Sequence, residues 1–158
     1  MKKLLIMAAL IFAAHFAYAQ SENIEEIQQF IISDVRYNKA DVTPIYLDAK
    51  AYISLYRVKD EETIYMANVW PAKRSQSYGY IYDLKQTSVD ATDDTYKNET
   101  LTFKWSYKND FDNKQGTATI KLGLVYKPTG IAFLMTMITE DLNVTEFKGY
   151  VSGSLNLK

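Results

Sequence analysis

The chain has 158 residues, a formal net charge of −1 and no cysteine. This length fits one domain, and the missing cysteines exclude disulfides, thiol nucleophiles and thiolate ligands for a metal. The slightly acidic balance argues against a nucleic-acid partner, because binding to phosphates needs a basic surface.

The first 19 residues have the pattern of a secretory signal peptide. Met1–Lys3 is a short basic start, Leu4–Ala17 is an apolar run, and Ala17-Tyr18-Ala19 is a small-x-small cleavage site. The run is shorter than the ~20 residues that a membrane-spanning helix needs. Small exported domains of eukaryotes usually carry disulfides. We therefore expect a bacterial protein that is cleaved near Ala19-Gln20, has no membrane anchor afterwards, and is periplasmic or secreted.

Cleavage would leave residues 20–158 as a single β-rich domain with few catalytic options. Removing 19 residues from 158 leaves 139, and losing Lys2 and Lys3 leaves 16 basic against 19 acidic residues, a net charge of −3. The leader also contains His15, the only histidine. Without His or Cys, a Ser-His-Asp triad and a zinc site bound by these residues are excluded. We expect no enzyme activity, no cofactor and no metal site.

The first element of the mature chain has the spacing of an amphipathic helix. Its apolar residues recur three and four positions apart, at Ile24, Ile27, Ile31 and Val35. Asn23 and Glu26 resemble a capping box at its start. The pattern predicts a helix over about 22–35 that covers the end or flank of its own sheet.

From about residue 43 to residue 157 the apolar pattern changes to the period of two that is typical of strands. In the clearest strand, 100–108, an aromatic and apolar face alternates with a polar one. Short turns connect the later strands, so neighbouring strands are antiparallel, and the polar segment 88–98 is predicted as the longest loop. Strands are predicted near 43–47, 50–58, 62–70, 76–89, 100–108, 117–127, 131–139 and 144–157.

Eight strands in a meander favour a closed barrel, because closure removes exposed sheet edges. The sequence therefore predicts an all-β, mostly antiparallel fold: a single eight-stranded barrel or strongly curved sheet with one N-terminal helix. An open sheet or a two-layer sandwich against the helix is the alternative. The interior of an eight-stranded barrel has room for side chains or for one small ligand.

In size, predicted export, strand number and antiparallel order, the chain resembles the lipocalin and calycin group of small barrels. The resemblance implies binding of a small ligand inside a barrel. The group's Gly-x-Trp on the first strand is absent here, since the two tryptophans, Trp70 and Trp105, lie in later strands. No functional residue is carried over from the group.

Aromatic residues are the candidate ligand-binding residues. Tyr is frequent, with 13 residues in the chain, and its ring combines a broad apolar body with a hydroxyl that can orient a guest. The alternative is ordinary packing, because Tyr and Trp also suit half-buried strand faces. The candidates are Tyr78, Tyr80, Tyr82, Phe103, Trp105, Tyr107 and Trp70.

These features favour an exported bacterial, non-enzymatic protein that binds a small apolar or sugar-like ligand in an aromatic-lined barrel. The alternative is an envelope module that binds a protein partner, such as an enzyme inhibitor or immunity protein. A third hypothesis, an integral outer-membrane barrel, also fits strands of alternating polarity. The predicted helix, the last residues Leu157-Lys158 and the absence of a polar face in 131–139 oppose it.

Overall fold

A computed structural model describes residues 24–93 and 96–152 of the chain. The predicted signal peptide, residues 1–19, lies outside the described residues, as does the last part of the predicted strand 144–157. The strands are β1 (Ile24–Tyr37), β2 (Ala40–Asp41), β3 (Tyr52–Val58), β4 (Ile64–Trp70), β5 (Ser75–Asp93), β6 (Tyr96–Asn109), β7 (Gln115–Lys127), β8 (Gly130–Thr139) and β9 (Val144–Ser152). Two short helices complete the fold, α1 (Thr43–Asp48) and a 3-10 helix (Pro71–Lys73).

The sheet closes into an eight-stranded antiparallel barrel. From β3 to β9 each strand pairs with the next, and β1 pairs with β3 on one side and with β9 on the other. In the closing pair, Phe30 lies opposite Val151. β2 adds a two-residue hairpin to the end of β1. This confirms the predicted all-β barrel, and its architecture is compatible with that of a lipocalin.

The predicted helix over about 22–35 is wrong, because residues 24–37 form the strand β1. The pairing of β1 shifts register twice, between Glu26 and Gln28 and between Ile32 and Asp34. Each bulge adds a residue and offsets the period of two. Buried residues therefore stand three apart at Ile32 and Val35, a spacing that imitates one face of a helix.

The predicted strand 43–47 is also wrong, since these residues belong to α1. Pro44 has no N–H to donate to a strand pair, whereas proline fits the first turn of a helix. The side chain of Asp41 accepts a hydrogen bond from the backbone N of Thr43 at 2.9 Å and fixes the chain before the helix begins.

The segment 88–98 is not the predicted loop. It continues β5 and β6 as a long hairpin, whose described parts end at Asp93 and Tyr96. The β5–β6 pairing contains three register shifts, so polar residues with low strand propensity are accommodated within a paired ribbon.

Apolar side chains from all eight strands fill the barrel interior. The largest fully buried ones include Trp105, Phe30, Phe103, Phe147, Ile53, Leu55, Met66, Ile120, Leu122, Leu124 and Met135. Burying one such side chain contributes about 1.5–3 kcal/mol. Because the chain has no disulfide, this core carries the stability of the fold.

We call one end of the barrel the helix end, defined by α1, the 3-10 helix, the β6–β7 turn (110–114) and the β8–β9 turn (140–143). Tyr46 of α1 contacts Trp70 of β4 and Phe147 of β9. These strands are separated by β1 and β3 in the barrel, so α1 lies across the mouth. Within the described ranges, no helix has the length and apolar character needed to cross a membrane.

Candidate functional site

The structure does not bring the seven predicted ligand-binding residues together. Ile81 of β5 lies opposite Trp105 of β6, and both face the interior. Since side chains alternate along a strand, the triplet Tyr78, Tyr80 and Tyr82 faces outward. The triplet on β6 faces inward, and Trp70 lies at the helix end.

The inward triplet belongs to the packed core. Phe103 and Trp105 are each 1% exposed, and the indole Nε1 of Trp105 donates a hydrogen bond to the backbone oxygen of Met66 at 3.1 Å. Tyr107 stacks on Trp105 with ring centroids 4.6 Å apart. The aromatic faces of Phe103 and Trp105 are therefore occupied by neighbouring side chains.

Tyr107 connects this core to the rim of the helix end. Burial raises the pKa of its hydroxyl, and the carboxylates of Glu140, Asp141 and Asp112 raise that pKa further. These carboxylates come from the β6–β7 and β8–β9 turns, so the two turns lie close together around Tyr107. Among the described residues, no three acidic, His or Cys side chains are placed to hold a metal.

Trp70 lines a cleft beside α1 at the helix end, which we call the mouth cleft. Its ring lies 4.4 Å from that of Tyr46, between centroids, and its Nε1 donates a hydrogen bond to Oδ1 of Asn68 at 3.1 Å. The cavity has a volume of about 330 Å³, at the lower end of the ~300–1,000 Å³ typical of ligand pockets. Its lining residues are Tyr46, Asn68, Trp70, Ser75, Gln76, Ser77, Asn109 and Phe111.

Hydrogen bonds to Asp110 fix one side of the mouth cleft. Its carboxylate accepts hydrogen bonds from the hydroxyl of Ser75 at 3.0 Å and from the backbone N of Gln76 at 2.9 Å. The backbone N of Asp110 donates to the oxygen of Gln76, and that of Phe111 donates to Oδ1 of Asn109. The β6–β7 turn is thereby attached to the start of β5, which makes this wall preorganised.

The opposite side of the cleft is formed by Tyr46, which is held as a neutral phenol. Burial raises the pKa of its hydroxyl to about 12, although a side-chain hydrogen bond with Asn68 opposes the shift. The hydroxyl therefore keeps its proton near neutral pH and offers both a donor and an acceptor.

The composition of the mouth cleft indicates the chemistry that it can bind. All eight lining residues are uncharged: three are aromatic, and five carry amide or hydroxyl groups. Aromatic faces pack against apolar ring faces, while amides and hydroxyls exchange hydrogen bonds with hydroxyls. The cleft thus suits a neutral ring compound with several hydroxyls better than a charged ligand.

The outward triplet is part of a larger aromatic surface on β3, β4 and β5. Tyr56 stacks on Tyr65 with centroids 5.5 Å apart, and Tyr80 contacts Tyr82 at 5.8 Å. Burial raises the pKa of the Tyr56 hydroxyl, and the neighbouring side chains of Tyr65 and Tyr78 raise that pKa further. We call these five residues the tyrosine wall.

The sequence did not predict most of the mouth cleft. Tyr46 lies in the predicted strand 43–47, and Asn109 and Phe111 lie in the turn between the predicted strands 100–108 and 117–127. Thr43-Pro44 is the available signal, because a proline in the first turn often marks a helix start. Tyr65, which stacks on Tyr56, is not among the predicted site residues, because β4 has no other tyrosine at alternate positions.

No protein-family model matches the chain, and neither a curated protein nor a solved structure is significantly similar to it. The assignment of a function therefore rests on the residues of this chain and their geometry.

Proposed function

We propose that the chain is an exported bacterial, non-enzymatic binding protein that holds a small, neutral, sugar-like ligand in the mouth cleft. The lipocalin-like architecture supports ligand binding by the barrel. The packed positions of Phe103 and Trp105 favour the mouth over the barrel centre as the place where a ligand binds.

One observation carries this proposal: Trp70, Tyr46 and Phe111 surround a cavity whose remaining lining is amide and hydroxyl. A sugar ring has apolar C–H faces and a rim of hydroxyls, so it can use both kinds of surface together. Without a charged group in the lining, binding is expected to depend little on salt.

The polarity of the barrel supports function in water. Its interior is apolar, whereas Lys104, Lys108 and Lys121 project from the outer face of β6 and β7. An outer-membrane barrel has the opposite arrangement, with an apolar band outside.

Saturation-transfer NMR with defined small molecules tests the proposal. The probes are methyl β-D-glucopyranoside, N-acetylglucosamine and maltose, with laurate as a charged apolar probe. We expect transfer to at least one sugar, and a loss of affinity of about tenfold or more, equal to ~1.4 kcal/mol, in Trp70→Ala. Gln76→Ala, which keeps the aromatic residues, should weaken binding less.

Tyr37→Ala is the matched control, because Tyr37 is an exposed aromatic residue near the same end but outside the cleft lining. The affinity of the Tyr37→Ala variant for the sugar should equal that of the unchanged protein. Transfer to laurate alone, transfer to none of the sugars, or unchanged sugar binding in Trp70→Ala would each overturn the proposal.

A second candidate function, an envelope module that binds a protein, is favoured by exposed apolar side chains at the helix end. Phe111 is 84% exposed and Leu142 is 79% exposed, and they lie on the two neighbouring turns around Tyr107. Exposed apolar side chains that form a contiguous patch mark protein contact surfaces. An inhibitor or immunity protein could use these two turns to insert side chains into a partner.

Site-specific photo-cross-linking in the producing cell tests this candidate. A cross-linker at position 142 should capture one protein that a cross-linker at position 134, in the wall of β8, does not capture. Leu142→Ser should weaken the purified complex, whereas Leu134→Ser should not. Equal capture from both positions, or no capture from position 142, would contradict the candidate.

A further inference from the structure

The tyrosine wall has the shape of an extended surface and not of a pocket. Tyr78 and Tyr80 are 38% and 48% exposed, and Tyr80 lies directly opposite Tyr65 on β4. Alternate residues along a strand are about 7 Å apart at the backbone, and the rings of Tyr80 and Tyr82 are 5.8 Å apart between centroids. The outer face of a closed barrel is convex, so the wall can contact a long molecule along its length but cannot enclose a small one.

Lysines form a column directly beside the wall. In the β5–β6 pairing, Lys108 lies opposite Tyr78 and Lys104 lies opposite Tyr82. The ammonium of Lys104 is 5.8 Å from the ring centroid of Tyr82. On β7, Lys121 lies opposite Thr102 on the same outward face.

The charge of this face differs from that of the whole chain, which is slightly acidic. Among the described residues, one of the three lysines is in an ion pair, Lys104 with Asp83 at 3.2 Å. Glu61 accepts a hydrogen bond from the hydroxyl of Tyr65 at the other border of the wall. The lysine column therefore leaves a local positive excess along one side of the tyrosines.

We propose that the tyrosine wall and the lysine column bind an extended acidic polysaccharide, a site separate from the mouth cleft. The tyrosine rings pack against the faces of successive sugar rings, and the lysines pair with the carboxylates that the polymer carries. Two of the three rings on β5, Tyr78 and Tyr82, lie opposite a lysine of β6, an arrangement that suits a polymer with acidic groups spaced along a chain of sugar rings.

The composition of this face favours a polysaccharide over a protein partner. Protein interfaces have aromatic cores but are depleted in Lys, whereas each end of the Tyr78–Tyr82 row has a lysine opposite it. The small outward residues Ala67 and Ser54 are buried beneath their neighbours, so at these positions the tyrosine rings form the exposed surface. The described residues that line the mouth cleft are uncharged, which also separates the two sites chemically.

Affinity electrophoresis and calorimetry with named polymers test this proposal. The probes are polygalacturonate, which is acidic, and dextran, which is neutral. We expect polygalacturonate to retard the protein and dextran to leave its mobility unchanged. Tyr80→Ala should weaken binding of polygalacturonate about fivefold or more, and the double variant Lys104→Ala/Lys108→Ala should weaken it and lower its dependence on salt.

Tyr150→Ala is the matched control for the wall. Tyr150 is 57% exposed on β9, four strands from β5 and therefore on the opposite side of the barrel. The Tyr150→Ala variant should bind polygalacturonate as tightly as the unchanged protein does. Trp70→Ala, which alters the mouth cleft, should also retain binding of polygalacturonate. The proposal of sugar binding in the cleft and the proposal of polymer binding on the wall can therefore fail independently.

Three results would overturn the proposal. Equal binding of dextran would show that the lysines do not select an acidic polymer. No binding of polygalacturonate would show that the wall is not a site for such a polymer. Self-association that Tyr80→Ala abolishes, measured by analytical ultracentrifugation, would assign the wall to an interface between two copies of the chain. Tyr80→Ala is suited to these tests because its half-exposed ring can be removed without opening the core.

Discussion

Two aromatic triplets on neighbouring strands have the same spacing and opposite environments. On β5, Tyr78, Tyr80 and Tyr82 face the solvent, and on β6, Phe103, Trp105 and Tyr107 face the interior. Both triplets belong to one paired ribbon, so each side of the barrel wall carries one of them.

The residues between the aromatic positions explain the difference. On β6 the intervening positions include Lys104 and Ser106, whose polar groups require the outer face. The aromatic residues of β6 must then point inward. On β5 the intervening residues are Gly79 and Ile81, which tolerate burial, and the Tyr hydroxyls find water on the outside. An aromatic alternation thus identifies one face of a strand, but the opposite face decides which side is buried.

The largest expected effect is the cost of removing the central ring of each triplet. Trp105→Ala should lower the free energy of unfolding by about 3–5 kcal/mol, because it opens a cavity in the core, and the hydrogen bond to Met66 is also lost. Tyr80→Ala should cost within about 1 kcal/mol, because its ring is half exposed. Urea denaturation of both variants measures the contrast, and equal losses would show that the two faces are not distinct.

Gly79, between two tyrosines of the outer triplet, tests how closely β5 approaches β6. A Cβ at this position would overlap the backbone oxygen of Ser106, whereas a Cβ at Gly123 would meet its nearest atom at 3.6 Å, an ordinary contact. Gly79→Ala should destabilise the protein by about 1–3 kcal/mol, and Gly123→Ala by less than about 0.5 kcal/mol. Thermal unfolding of the pair checks this, and a harmless Gly79→Ala would contradict the close approach.

The covered Tyr46 extends the comparison to ionisation. The pKa of Tyr46 is raised to about 12 from an ordinary value of 10.0, so the unfolded chain loses this proton first as the pH rises. Its stabilising contribution is complete below about pH 10 and is lost between about pH 10 and pH 12. Tyr46→Phe should reduce the alkaline loss of stability by up to ~1.4 kcal/mol per pH unit. An alkaline slope in Tyr46→Phe equal to that of the unchanged protein would be inconsistent with a covered Tyr46.

The smallest expected effect comes from the ion pair between Asp83 and Lys104 beside the outer triplet. Both side chains are more than half exposed, and exposed pairs contribute about 0–1 kcal/mol. A double-mutant cycle with Asp83→Asn and Lys104→Gln should give a coupling in this range that decreases with salt. A coupling well above this range would indicate that this part of the wall is shielded from water.

The barrel could be predicted from the sequence because the strands from β3 to β9 have a period of two and are connected by short turns. β1 could not, because its bulges are set by pairing with two strands that are distant in sequence. The mouth cleft could not either, since it is assembled from α1, β4, β5 and the turn after β6. The aromatic residues could be identified from sequence, but the bulges and the closure of the sheet decide which of them share a surface.

The two tryptophans provide the most direct test, because Trp70 lines the mouth cleft and Trp105 lies in the core. Each gives one indole N–H signal in a ¹⁵N-correlated NMR spectrum, so a titration with the neutral sugars compares both places in one sample. If the sugar binds at the mouth, the Trp70 signal shifts with saturation while the Trp105 signal stays in place. A shift of Trp105 without Trp70, or no shift of either signal at millimolar sugar, would contradict binding at the mouth.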